Sequence, residues 1–168
     1  SQVVQAVPTG INSALVFISS TTASGTSFTI SNCFSATYDN YILQIGNVTT
    51  NASPGKFRMR LGSGTAHAFN LQFVSSGSAS YTQDSGASSG NVINLDAGYV
   101  TKGGAITIGS PFLTSPTTVG GLIQTNTEFN IAQGIETSST SFTDITFSNT
   151  NAVSFTGGTI KVYGYVNS

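Results

Sequence analysis

A side-chain alternation of period two recurs from one end of this chain to the other, and it constrains the fold more than any other feature. It is clearest at 56–61, where Phe57, Met59 and Leu61 alternate with Lys56, Arg58 and Arg60. Successive side chains of a β-strand point to opposite faces of a sheet, so this spelling puts three apolar groups on one face and three cations on the other. Phe28 and Ile30 alternate in the same way with Ser27, Thr29 and Ser31. Helical three-four spacing is almost absent. The one candidate turn, near 34–40, reads as irregular chain.

Further strands are expected at Ala14–Ser20, Tyr41–Val48, Ala68–Val74, Val92–Leu95, Tyr99–Thr101, Ala105–Ile108, Val119–Gln124, Glu128–Ala132, Phe142–Phe147 and Thr159–Val166. Their 8-to-12-residue spacing is that of an all-β sandwich or barrel with about ten to twelve short strands. Leu15, Val16, Phe17 and Ile18 form a continuous apolar run, which suits a strand buried on both faces. Two stretches stand apart. Residues 75–91 are mostly Ser, Gly, Ala and Asn, and read as a long loop of the kind that makes contacts or simply decorates a surface. Residues 1–12 read as an extended N-terminal arm with Val3, Val4 and Val7 as candidate docking side chains, and 13–168 as a single domain.

Composition narrows the possible partners. Ser, Thr, Asn and Gly make up 81 of 168 residues, whereas Asp, Glu, Lys and Arg together are only 7%. Charged residues usually reach about 25%, and helical surfaces need them, so a solenoid of long helices is excluded. A net charge of −1 gives no long-range attraction for nucleic acid or an anionic membrane, and neither is expected as a partner. No apolar stretch approaches the roughly 18 residues of a membrane helix, and no charged segment followed by an apolar one marks a signal peptide. The lone Cys33 reads as a small buried apolar group.

Catalytic chemistry finds little support. Asp39, Asp84, Asp96, Glu128, Glu136 and Asp144 are each at least eight residues from the next, so no local carboxylate pair suggests glycoside cleavage. His67 is the single histidine and is flanked by Ala66 and Ala68, which is no metal-ligand spacing. Gly86-Ala87-Ser88-Ser89-Gly90 matches the spelling of a nucleophile elbow. That turn requires a strand before the serine and a helix after it, whereas here the match lies inside a Ser/Gly tract. No catalytic residue, metal site or cofactor is expected.

Two candidate contact regions remain. Lys56, Arg58 and Arg60 carry three of the five cations. They suit a solvated row that keeps a sheet edge from aggregating, an intersubunit or protein-partner contact, or an anionic glycan or nucleic acid. Tyr81, Gln83, Asp84 and Asn91 are the candidate outward contacts of the 75–91 loop.

Five stretches, taken in order, resemble one family. They are Val16-Phe17-Ile18-Ser19-Ser20-Thr21-Thr22, Phe34-Ser35-Ala36-Thr37-Tyr38-Asp39-Asn40-Tyr41, Phe57-Arg58-Met59-Arg60-Leu61, Ser110-Pro111-Phe112 and Gly158-Thr159-Ile160-Lys161-Val162-Tyr163-Gly164-Tyr165. Together they resemble a β-rich module of tailed-bacteriophage virion proteins, of the marine and cyanobacterial type, found at tail-fibre C-termini or decorating capsids. The resemblance spans Leu15 to Ser168 and carries over no catalytic residue. It implies a jelly-roll-like antiparallel β-sandwich that assembles as a homotrimer on the particle surface, with other virion proteins and a host surface glycan or receptor as partners. No coiled-coil or β-helical shaft precedes the module within this chain, so a capsid-decorating or cementing knob and a fibre tip both stay open. In such a trimer, neighbours would cover exposed apolar residues such as Val3, Val4, Val7 and Val119. The alternative, from a different class, is a stand-alone lectin-like carbohydrate-binding module using loop Tyr, Asn and Asp side chains.

Overall fold

The computed structural model describes residues 14–52, 55–64, 67–75, 78–84, 91–97, 100–125 and 128–166. Val3, Val4 and Val7, and the arm they belong to, lie outside the described residues. The described residues form twelve strands and no helix, arranged as two antiparallel sheets.

The larger sheet runs β1 (Leu15–Thr22), β12 (Phe155–Tyr165), β3 (Asn40–Thr50), β8 (Val100–Gly109), β9 (Thr117–Thr125), β10 (Glu128–Glu136), β5 (His67–Ser75) and β6 (Ser78–Asp84). The smaller runs β2 (Ser27–Ile30), β11 (Ile145–Ser148), β4 (Gly55–Leu61) and β7 (Ile93–Ala97). From β1 to β5 the chain changes sheet at every connection, and it does so again from β6 to β8 and from β10 to β12. Strands adjacent in sequence therefore mostly face each other across the core rather than pair.

The alternation read from the sequence explains the layers. In β4, Phe57, Met59 and Leu61 are buried while Arg58 and Arg60 are half-buried on the outer face. Ile145 and Phe147 of β11 and Ile30 of β2 face inward beside them, and Tyr41, Leu43, Ile45, Ile106, Ile108, Ile123, Ile160 and Val162 of the larger sheet close the core. Phe147 stands at the centre of an aromatic group, with ring centroids 5.2 Å from Phe28 and 5.4 Å from Phe57. Phe155 meets Phe28 and Phe57 edge-on from the opposite sheet, at 5.2 and 6.1 Å. Such pairs contribute about 0.5–1.5 kcal/mol each beyond the area they bury.

Two glycines allow close backbone approach. A Cβ on Gly134 of β10 would stand 2.1 Å from the Val92 carbonyl oxygen, and Val92 in turn donates to the Met59 carbonyl at 2.8 Å, which joins the two layers. Gly158 has φ +92°, and a Cβ there would lie 2.4 Å from the Val48 Cα, beside the irregular β12–β3 register.

Several expectations are corrected. The run 15–18 is not buried on both faces: among the described residues β1 is an edge strand paired to β12 alone, and Phe17 is 55% exposed. An unbroken apolar run does not distinguish a strand between two layers from one whose outer side chains are simply apolar. The expected loop 75–91 contains β6, which pairs along its length with β5. Its Ser and Ala content hid a strand whose partner lies one hairpin away. The two strands expected at 99–101 and 105–108 are, from Val100 to Gly109, one strand, β8, with a register shift between Thr101 and Gly103. Strand β11 begins at Ile145 rather than Phe142. Val119, expected as an exposed apolar residue, is 4% exposed and faces the core.

Candidate functional site

The cations of β4 lie on an inner strand, because β4 pairs with β11 on one side and β7 on the other. Protection of a sheet edge is therefore not their role. Lys56 is opposite Asp96, Arg58 is opposite Asn94 and Ser148, and Arg60 is opposite Thr146. The side chain of Lys56 lies outside the described residues.

At the Arg60 end, the outer face of the smaller sheet dips into a groove of about 430 Å³. Its walls come from three separate parts of the chain: Thr29 of β2, Arg60 and Ser63 at the end of β4, and Thr143, Asp144 and Thr146 leading into β11. Thr29 and Thr146 are cross-strand partners, and their hydroxyls hydrogen-bond at 2.9 Å. The Asp144 Oδ1 accepts the Asn32 amide at 2.7 Å, where the backbone turns through the left-handed region at φ 53°. The Thr143 carbonyl accepts two amides, from Cys33 at 2.9 Å and Phe34 at 3.1 Å, and the Asp144 carbonyl accepts that of Gly62 at 2.9 Å. The groove's rim is thus held rigidly from three directions. Among the described residues no ion pair or hydrogen bond engages the Arg60 side chain.

The outer face of the larger sheet is chemically different. One row across it reads Ser20, Lys161, Gln44, Ala105, Leu122, Ile131, and the next reads Phe17, Tyr163, Ile42, Thr107, Gly120, Gln133. Leu122, Ile131 and Phe129 are 40%, 39% and 44% exposed at one end of the face. At the other end Phe17 meets Tyr163 edge-on at 5.7 Å. Between them the small side chains of β8 and β9 leave shallow grooves of about 540 and 370 Å³. Lys161 is the one charged side chain among the described residues of this face.

The remaining candidates do not converge. Tyr81, Gln83 and Asp84 are on β6, at the edge of the larger sheet opposite Gln72, Asn70 and Phe69. Their side chains lie outside the described residues. Asn91, expected to face outward, is 5% exposed. Among the described residues no three His, Cys, Asp or Glu side chains gather as a metal-ligand group. Glu136 is fully buried: Oε1 accepts the Ser138 amide at 3.1 Å, and Oε2 has no partner among the described residues. Its register partner on β5 is His67. Cys33 is 2% exposed, with its thiol directed to the Ile30 carbonyl at 3.4 Å. Burial is the main cause that pushes this thiol up to about 12, with the Asp144 charge adding to it.

Sequence reasoning singled out Arg60 but not Thr29, Thr146 or Asp144 beside it. The alternation in 27–30 and 145–148 marks both threonines as outward-facing, yet nothing in the spelling pairs two segments more than a hundred residues apart. The chain matches no protein-family model, and no curated protein and no solved structure is similar to it.

Proposed function

We propose that this chain is a non-enzymatic bacteriophage virion surface protein, a homotrimeric jelly-roll knob that decorates the capsid or forms the tip of a tail fibre. The observation that carries the assembly is the outer face of the larger sheet. It exposes Phe17, Leu122, Phe129 and Ile131 around small uncharged residues, with a single lysine among its described side chains. A face of this kind associates with its own copy without like-charge repulsion, and closed rotational symmetry hides apolar area on every protomer.

Two further features support the proposal. Without β5, β6, β9 and β10, the sheets reduce to β1-β12-β3-β8 and β2-β11-β4-β7. That is the strand order of an eight-stranded double Greek key, an architecture used in capsid and lectin domains. The ordered stretches that resemble phage virion modules supply the location, since fold alone does not imply function.

The test is sedimentation equilibrium of the chain at micromolar concentration, paired with immunogold labelling of intact particles. A mass three times the 17.2 kDa of one chain and label on the particle surface are expected. A strict monomer, or particles that carry no label, overturns the proposal.

A further inference from the structure

We propose that the Arg60 groove on the smaller sheet binds a carboxylate-bearing sugar, a uronic acid residue of an acidic glycan, with Arg60 holding the carboxylate and Asp144 with the threonine hydroxyls holding the ring hydroxyls. The site lies on the opposite layer from the apolar face, so it stands whether or not the chain is a trimer.

Several observations select this ligand class. Arg60 is half-buried, lines the groove and has no ion-pair partner among the described residues, although Asp144 lines the same groove. A guanidinium presents a flat fork of donors that matches a carboxylate in a bidentate pair. Asp144 is pinned through Oδ1 by the Asn32 amide, so its charge is fixed in the wall. A carboxylate there accepts hydroxyl protons and at the same time disfavours a doubly charged phosphate. Thr29, Ser63, Thr143 and Thr146 add hydroxyls that both donate and accept, as polyol recognition requires. Phe142 reaches the groove but is 3% exposed, so it offers no open ring on which a nucleobase could stack. The volume of about 430 Å³ is in the range of small-ligand sites. Arg58 lies two residues along the same face, about 6.8 Å away at the rise of an extended strand.

The experiment titrates the full chain with trigalacturonic acid and with its methyl ester, followed by amide shifts in the NMR spectrum. The ester has the same sugar rings and hydroxyls, with each carboxylate replaced by a neutral methyl ester. The free acid is expected to bind and to move the amides of Asn32, Gly62 and Thr143, and the ester is not. Arg60→Gln should weaken the acid by at least about ten-fold, the loss of one charge-assisted pair, with an unchanged melting temperature. Arg60→Lys keeps the charge without the fork and should fall between. Asp144→Asn keeps the oxygen that accepts the Asn32 amide, loses the carboxylate oxygen assigned to a ring hydroxyl, and should weaken acid binding with an unchanged melting temperature. Equal binding of acid and ester, no shifts up to about 10 mM ligand, shifts confined to the larger sheet, or full binding by Arg60→Gln would each overturn the proposal.

Discussion

The hydroxyl of Tyr41 donates to the carbonyl of Ser35 at 2.9 Å and accepts from the amide of the same residue at 2.8 Å. Tyr41 is fully buried in the core face of β3, and its ring meets Phe34 at 4.8 Å and Tyr38 at 6.0 Å. One phenol therefore closes the irregular segment before β3 and joins it to the core, in a stretch with no helical or strand hydrogen bonds of its own.

Replacing Tyr41 with Phe should keep the ring packing and leave both Ser35 backbone groups without their partner. Such orphaned groups cost about 1–3 kcal/mol. At about 2–4 °C per kcal/mol for a chain of this size, thermal unfolding should start several degrees lower. An unchanged melting temperature would mean that water replaces the phenol at no cost.

Gly134→Ala should destabilise the chain more than a surface Gly→Ala change does. The added methyl meets the Val92 carbonyl, a backbone atom that cannot rotate away, so β10 and the 91–93 segment must separate. Overpacking of this kind costs about 1–3 kcal/mol or more. Gly120→Ala, where the nearest atom is 4.0 Å away, is the matched control and should be nearly silent in urea unfolding.

Cys33 sets an alkaline limit. Its folded value is pushed from 9.0 to about 12 by burial, so the folded state keeps the thiol proton after the unfolded state has lost it. The stability this represents is fully present below pH 9 and is lost as the pH rises through the interval up to about 12. Cys33→Ala should flatten that part of the pH-stability curve, measured by urea unfolding at pH 8, 9.5 and 11. The native thiol should also resist a disulfide reagent at pH 8 and react fully in denaturant.

Ile131→Asp places a carboxylate within the exposed apolar cluster of Leu122, Phe129 and Ile131, opposite Leu122. Since Ile131 is 39% exposed, the protomer should fold unchanged, with far-UV circular dichroism like the parent's. The sedimentation mass should fall to that of a single chain. A variant that keeps the parent's assembled mass would move the interface elsewhere.

The outward charge of β4 and the inward Phe57, Met59 and Leu61 were legible because strand periodicity ties side-chain direction to sequence position without reference to a partner. The same rule read Phe28 and Ile30. It failed at β1, where both faces carry apolar side chains, and at β6, whose Ser, Ala and Thr spell a loop as readily as a strand. It failed also at Val119, since facing the core depends on which strands lie opposite. The Arg60 groove was half legible: the arginine announces itself by its charge, but Thr29 and Asp144 are ordinary polar residues until β2 and β11 bring them beside it.

Sequence by itself determined the class of structure: pleated strands, scarce charge and one apolar side chain in every two suffice for a two-layered β-protein. Which strand lies beside which was decided only in three dimensions, because in an antiparallel fold whose chain keeps changing sheets seven of the ten pairings join strands that are not neighbours in sequence. Backbone hydrogen bonds are alike at every position, so register follows from how Phe57, Phe147 and Phe155 fill one shared interior. Surface grooves then form wherever that packing leaves small residues or loop ends side by side.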